Sequence, residues 1–397
     1  MKFRELKVLK LVILSSRFPF PLEKGDKLRL YHQIQGLAKH HEIHLISLSD
    51  SDVSKADLDK MKECCETVTI FNCSRMSSAL HASRSIFNTI PFQVNYFYSK
   101  KIRKQVQAHI LKLNPDAIYC QLIRMAEYTK DLPYPKILDY MDAFSLNYSR
   151  RVKHESFLKK AFFKMESKRL QRYEVNIAGS FDKLTIISEQ DSKSIITSKD
   201  ITVISNGLNA EYFKPRTQDK PYDLLFVGNM GYHPNILAAK FIVNKIKPLL
   251  ATETKLQIAG ARPSGAVRAF ASEHVEITGW VDDIRTAYAS AKIFVAPIFS
   301  GAGQQNKILE AMSMGLICIT TPTVNEAIGA ENKKELFIAT KPEEFAKLIK
   351  EILADPEAFK IIGLNARKFV KEHFSWAIEN KKLNDVIINC RKEKENA

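Results

Sequence analysis

Apolar residues in this chain collect into short runs of roughly four to eight, separated by longer amphipathic or polar stretches. In the first half the runs are KVLKLVILS (residues 7–15), HEIHLISLS (His41–Ser49), PDAIYCQ (Pro115–Gln121), PKILDYMD (Pro135–Asp142), FDKLTIIS (Phe181–Ser188) and ITVISNG (Ile201–Gly207). In the second half they are DLLFVGN (Asp223–Asn229), KLQIAG, VEITG, KIFVAPI (Lys292–Ile298), LICITT and ELFIAT. Such runs predict buried strands. The segments between them predict helices: one from EKGDK (Glu23–Lys27) to Lys39, a long basic one over 149–172, and stripes at Phe345, Leu348, Ile349, Ile352 and at Leu383, Val386, Ile387, Cys390. Asp355 with Pro356 predicts a cap and first helical turn.

Strands that are apolar throughout and separated by helices imply parallel sheets covered on both faces. The alternation runs twice, and the polar, proline-bearing stretch Asn206–Tyr222 between the two series has the character of a linker. The fold class expected is α/β, with two Rossmann-like domains meeting near residues 205 and 206 and ligands at the carboxyl ends of the strands. A chain of 397 residues is long enough for two such domains.

Composition narrows the class. With 45% hydrophobic and 26% charged residues the chain is globular, and no apolar run approaches the ~20 residues that span a bilayer. The first run lacks a small-residue cleavage site and reads as a strand, so the expected compartment is the cytoplasm. The six cysteines show neither metal-ligand spacing nor a disulfide framework. The net charge is +16, concentrated in residues 1–200, which suits nucleic acid, anionic lipid or small anionic ligands without choosing among them.

Candidate chemistry centres on GAGQQNKILEAMSMG (Gly301–Gly315), which follows the KIFVAPI run. Strand, loop and helix start make an anion site, because the first backbone N–H groups of a helix lack intrahelical partners and lie at its positive end. Glu310, about two turns on, could accept both hydroxyls of a ribose. The other reading is an ordinary buried helix with one solvated glutamate.

The same stretch resembles the signature of the retaining, nucleotide-sugar-dependent glycosyltransferases of family four, which have the GT-B fold: two Rossmann-like domains with parallel sheets facing a central cleft. In that family two glutamates, with seven residues between them, flank a glycine-rich loop ending in LEAM. Glu310 matches the second, and Ala302 stands where the first would be. The resemblance is closer to sugar transferases of exopolysaccharide loci, whose motif reads Gln-Asn-Lys as Gln305, Asn306 and Lys307 do; there the first glutamate is expected to be missing. FVGNMGYHPN (Phe226–Asn235), GWVDDIRTAYASA (Gly279–Ala291) and FSW (Phe374–Trp376) extend the resemblance over most of the chain.

The resemblance implies domains at 1–205 (acceptor) and 206–375 (nucleotide-sugar donor), with 376–397 crossing back onto the first. It implies nucleotide-sugar binding by Gly25, Gly228, Asn229, Gly303, Gln304, Gln305, Asn306 and Glu310, with Asp142 facing the acceptor or the transferred sugar. Lys307 is a further candidate: the loop after the second domain's first strand lacks the Arg and Lys that many relatives aim at the diphosphate, so another cation must steady the departing charge. No cofactor is expected beyond the nucleotide-diphosphate sugar as co-substrate. No metal is expected either, since Asp-x-Asp clusters are absent and Asp282 and Asp283 suit helix capping. The activity implied is sugar transfer to a polysaccharide or lipid-linked acceptor in exopolysaccharide or envelope glycan synthesis. Hydrolysis or epimerisation of a nucleotide sugar is the alternative within the fold, and a basic nucleic-acid-binding protein the alternative outside it.

Three features stand outside this frame. His41 and His44 lie three apart in an alternating run, unlike zinc-protease histidines four apart on a helix, and are expected at the surface. PFQVNYFYSKKIRK (Pro91–Lys104) mixes aromatic and basic residues, which suits single-stranded nucleic acid, a solvated helix start or a lipid surface. Because the chain has no recognisable nucleic-acid module, no nucleic-acid partner is expected. An anionic membrane surface stays a candidate partner through this run and the basic helix, with a peripheral location at the membrane's inner face.

Overall fold

In a computed structural model the chain divides into two compact units, residues 1–205 with 376–397 and residues 206–375. The structure describes residues 8–22, 24–74, 78, 82–83, 85, 88–152, 157–299 and 304–395.

The first unit is built on a seven-stranded sheet whose pairs are all parallel, in the order β3-β2-β1-β4-β5-β6-β7. The strands are β1 (Lys10–Ser15), β2 (Glu42–Ser49), β3 (Thr67–Asn72), β4 (Ala117–Gln121), β5 (Lys136–Asp139), β6 (Lys183–Ile186) and β7 (Ile201–Val203). Alternate residues of β1 feed opposite cores: Leu11 and Ile13 join Leu30, Ile34, Leu383 and Ile387, whereas Val12 and Leu14 join Val106, Ile110 and Leu170. Helices thus cover both faces. The helix Trp376–Glu395 packs on Gly25–Leu37 so closely that a Cβ at Gly36 would lie 2.0 Å from the Asn380 amide nitrogen.

Covering both faces overturns the surface reading of two histidines. His41 and His44 are buried. Nδ1 of His41 accepts from the Leu9 amide at 3.3 Å and Nε2 faces Asn384 Oδ1 at 2.6 Å, while His44 meets Thr67 Oγ1 and Glu42. In a two-sided sheet both parities of an alternating run lie inside, so opposite directions do not mean that one is wet. The basic segment over 149–172 belongs to two helices, Phe144–Val152 and Phe157–Ala178. Asp355 closes the helix Pro342–Ala354 as its C-cap, and the next helix starts only at Lys360.

Charge is also buried in this unit. Arg29 and Asp139 have fully buried side chains and pair at 3.0 Å. Asp139 accepts further from Tyr119 Oη at 2.7 Å and Thr185 Oγ1 at 3.0 Å, and Arg29 donates to the Ser205 carbonyl at 3.2 Å. The pair therefore ties the first helix to β4, β5, β6 and the last residue before the second unit.

The second unit carries a six-stranded parallel sheet in the order β10-β9-β8-β11-β12-β13. Its strands are β8 (Tyr222–Val227), β9 (Leu256–Ala259), β10 (Val275–Gly279), β11 (Ala291–Ala296), β12 (Ile317–Thr320) and β13 (Phe337–Ile338). One apolar core joins Leu224, Phe226, Ile293 and Val295 of the sheet to Ile308, Leu309 and Met312 of the helix Asn306–Ser313. Arg367 donates to the Ser313 carbonyl at 2.5 Å, complementing the negative end of that helix.

Replacing Asp139 by Asn leaves Arg29 buried without its counter-charge. The variant should lose about 3–5 kcal/mol of unfolding free energy in urea titrations, the cost of breaking a buried pair from one side. A loss below about 1 kcal/mol, the scale of an exposed pair, would contradict this role.

Candidate functional site

Ligands of open parallel sheets sit beyond the carboxyl ends of the strands where the chain reverses its direction of winding. In the second unit that point lies between β8 and β11, since β9 extends the sheet on one side of β8 and β12 extends it on the other side of β11. The loop after β8 carries Gly228 and Asn229. The one after β11 leads into Gln304, Gln305 and the helix Asn306–Ser313. Gln305 is the N-cap and supplies no side-chain cap; the Ile308 amide donates to its carbonyl at 3.0 Å, and the Asn306 and Lys307 amides have no acceptor among the described residues. Gly303 and Ala302 lie outside the described residues.

Lys307 is half-buried and points inward. Its Nζ donates to Asn235 Oδ1 at 2.5 Å and lies 5.3 Å from the centre of the Phe226 ring. Burial pulls its pKa down to about 8, with Glu310 acting the other way. Asn235 is buried, and its Nδ2 donates to the Asn229 carbonyl at 2.9 Å. One amide thus fastens both loops of the switch point together. A Cβ at Gly228 would lie 2.7 Å from Asn235 Nδ2 and 3.1 Å from Lys307 Nζ, so only glycine lets the amide and the ammonium come this close to the backbone. Asn229 is exposed and shapes its own loop by accepting from the Gly231 amide at 3.0 Å.

Glu310 is the fifth residue of the helix, a little over one turn in, rather than two. It is half-buried and accepts at 2.8 Å from the hydroxyl of the fully buried Tyr288. Its other carboxylate oxygen accepts from no described residue. Burial raises the carboxyl pKa, while Tyr288 and Lys307 hold it down. The Gln304 side chain is engaged within the unit: it accepts from the Asn206 amide at 2.9 Å and donates to the Asn206 carbonyl at 2.8 Å. It offers a ligand only its backbone. Asn306 opens the helix.

In the first unit, Gly25 begins the helix Gly25–Leu37, is exposed, and would have nothing within 4 Å of an added Cβ. Packing within this unit does not require glycine there. Asp142 stands just past β5, after Met141, whose φ of 59° is a left-handed conformation that side chains disfavour. The Asp142 carboxyl is half-buried, and burial, followed by repulsion from Asp191, raises its pKa to about 6 against the pull of Arg29. It is therefore a carboxylate at neutral pH that can take up a proton within the working range.

Sequence reasoning did not single out Asn235, Tyr288 or Arg262. Asn235 and Tyr288 lie inside segments that carry the resemblance, but which partners they hold is a matter of three-dimensional contact. Arg262 is exposed after β9 with a φ of 58°, beside the Gly231 loop, and no motif marks it. Asp283 caps the helix Ile284–Ala289 by accepting from the Arg285 amide. Among the described residues no group of three or more His, Cys, Asp or Glu could hold a metal ion.

Residues 221–355 match the family described as glycosyl transferases group 1, a span that includes β8 to β13, Asn235, Lys307 and Glu310. Across 92% of the chain there is also 25% identity, over 395 residues, to an uncharacterized 44.6 kDa protein in the cps region of Klebsiella pneumoniae, 96% of which is covered. The chain resembles sucrose-phosphate synthase of Thermosynechococcus elongatus, with a TM-score of 0.70 and 14% identity, over 96% of this chain and 98% of that one. Anabaena HepE in complex with UDP and glucose gives a TM-score of 0.69 at 15% identity, over 96% of this chain and 99% of that one. The expected GT-B class, with two Rossmann-like units, is thereby borne out.

The burial of Lys307 has a measurable pH signature. An unfolded lysine holds its proton to about 10.4, and the folded group releases it near 8. Between these values the unfolded chain binds the extra proton, so this residue makes stability rise with pH. Urea midpoints of the ligand-free protein from pH 7.5 to 10 should show that component and lose it in Lys307→Met. Parallel pH profiles for the two proteins would contradict the inward placement.

Proposed function

We propose that the protein is a retaining, metal-independent glycosyltransferase that moves a sugar from a nucleotide-diphosphate donor to a polysaccharide or lipid-linked acceptor in exopolysaccharide or envelope glycan synthesis. The observation that carries this reading is the pairing, on one helix of the group 1 domain, of an inward ammonium at Lys307 and a half-satisfied carboxylate at Glu310. The ammonium and the open helix start suit the diphosphate. The carboxylate suits the vicinal hydroxyls of the ribose. As the bond from the sugar's anomeric carbon to the diphosphate oxygen breaks, negative charge grows on the leaving group, where Lys307 would stabilise it. The acceptor hydroxyl forms the new bond and gives up its proton; Asp142, near pKa 6, is suited to handling it. The cps-region relative supports a polysaccharide product, and the resemblance to family four supports retention.

Glu310→Gln should weaken binding of the preferred nucleoside diphosphate by about 1.5–3 kcal/mol without unfolding the protein, the scale of a hydrogen bond to a charged group. In the same preparation Lys307→Ala should lower kcat ~100-fold as well as weaken donor binding, and the parent's turnover should persist in excess EDTA. Unchanged affinity in Glu310→Gln, or manganese-dependent turnover, would contradict the proposal.

The reading includes reversible contact with an anionic membrane. On the helix Phe157–Ala178, Phe162 and Met165 are exposed at 39% and 41%, among the exposed Lys160, Lys164, Lys168 and Arg172. Apolar side chains inside a basic face suit a lipid interface, and each basic residue there contributes ~1 kcal/mol, screened by salt. Sedimentation with anionic vesicles at low salt should exceed that with neutral vesicles and fall in Lys160→Glu/Lys164→Glu. Equal sedimentation would remove the membrane from this account.

A further inference from the structure

The first unit has its own switch point, between β1 and β4, since β2 extends the sheet on one side of β1 and β5 extends it on the other side of β4. Each strand is followed closely by an arginine: Arg17 lies two residues past β1, and Arg124 three past β4. The two loops are joined, because Gln121 at the end of β4 donates to the Asp26 carbonyl at 2.9 Å while Asp26 pairs with Arg17 at 2.8 Å.

Arg124 is the unusual member. Its guanidinium carbon lies 4.8 Å from the centre of the Phe97 ring and 4.9 Å from that of Phe144, and the Arg17 guanidinium approaches the same Phe97 ring at 5.7 Å. One terminal nitrogen of Arg124 donates to Gln93 Oε1 at 2.9 Å. Its Nε is buried with no partner, and no described carboxylate pairs with it. Buried polar groups are nearly always satisfied, and an unpaired guanidinium N–H is costly to leave empty. The charged groups that face it are Arg17, Asp26 and Asp142, with the Tyr148 phenol beside them, and burial followed by repulsion from Arg17 pulls its pKa down to about 10. The aromatic rings hold the planar fork in place, while its uncommitted donors match an oxyanion that can accept two parallel bonds.

We infer that the β1/β4 switch point of the first unit binds a phosphate group of the acceptor, with Arg124 as its fork and Arg17 as the second cation. This rests on the proposed transferase reading and names the acceptor's chemical class: a sugar or lipid carrying a phosphate, not a neutral glycan. A phosphate at the junction of lipid and sugar and one on a free sugar offer the same oxygens to these groups.

The test uses full-length protein saturated with the nucleoside diphosphate that stabilises it most, so that the second unit's site is already filled. Decyl phosphate and glucose 1-phosphate are titrated calorimetrically below any micelle concentration, with glucose and decyl maltoside as neutral controls. At least one phosphate should bind and the controls should not; decyl phosphate alone would identify the lipid junction, and both together the phosphate itself. Arg124→Gln should weaken that binding at least about tenfold, as expected for loss of a charge-assisted hydrogen bond, with nucleoside diphosphate affinity within twofold of the parent. Because Arg124→Gln could disturb packing, Arg17→Gln, at a partly exposed position, serves as the second variant and should weaken phosphate binding in the same direction. Equal binding of neutral and phosphate probes, no phosphate binding, or unchanged phosphate affinity in both variants would overturn the inference. So would a fall in nucleoside diphosphate affinity as large as that for the phosphate probe, which would give these cations to the donor. Loss of nucleoside diphosphate binding in Glu310→Gln belongs to the second unit and tests the transferase reading separately.

Discussion

A lysine ammonium that exchanges water for an aromatic ring and one amide oxygen is held in a state that favours either losing its proton or gaining an anion. Lys307 is in that state, and much of the second unit is arranged to keep it there. Gly228 makes room, Asn235 fixes the ammonium to the loop after β8, and Tyr288 turns the Glu310 carboxylate along the same helix. Arg367 secures the far end of that helix. An arrangement of this kind is poorly satisfied when empty and suits the diphosphate of the proposed donor, whose binding energy would then be available at the point where leaving-group charge develops.

The first unit solves a related problem differently. Its central charge, Asp139, is fully satisfied by Arg29, Tyr119 and Thr185, and so serves the framework. Farther out along the strands lie the half-buried Asp142 carboxyl, with its raised pKa, after a strained Met141, and Arg124 among aromatic rings, its Nε without a partner. Leu122, in the loop after β4, has a φ of 67°, so two successive strands each end on a disfavoured backbone conformation close to these groups. Satisfied charge inside and unsatisfied charge at the carboxyl edge is the pattern expected where the framework must be rigid and the edge must still take a ligand.

Most of the framework was legible in the sequence because parallel strands buried on both faces leave unbroken apolar runs, and KVLKLVILS, DLLFVGN and KIFVAPI lie over β1, β8 and β11. The same property hid the environment of His41 and His44, since periodicity distinguishes two faces of a strand but not whether each is covered. The LEAM helix and its preceding loop were visible as a pattern, and Lys307 stood out by its charge. That Lys307 would reach Asn235, 72 residues earlier, depends on how two loops meet across the sheet, and the engagement of Gln304 with Asn206 is equally nonlocal. Arg124 was invisible for the same reason, because its aromatic neighbours come from different elements.

In the proposed function Lys307 and Glu310 receive the two ends of a nucleoside diphosphate. A crystal structure of the protein with the best-binding nucleoside diphosphate tests it most directly. A phosphate oxygen should lie at about 2.7–3.2 Å from Lys307 Nζ, and ribose hydroxyls at that distance from Glu310. A nucleotide bound elsewhere, with Lys307 and Glu310 contacting neither diphosphate nor ribose, would contradict it.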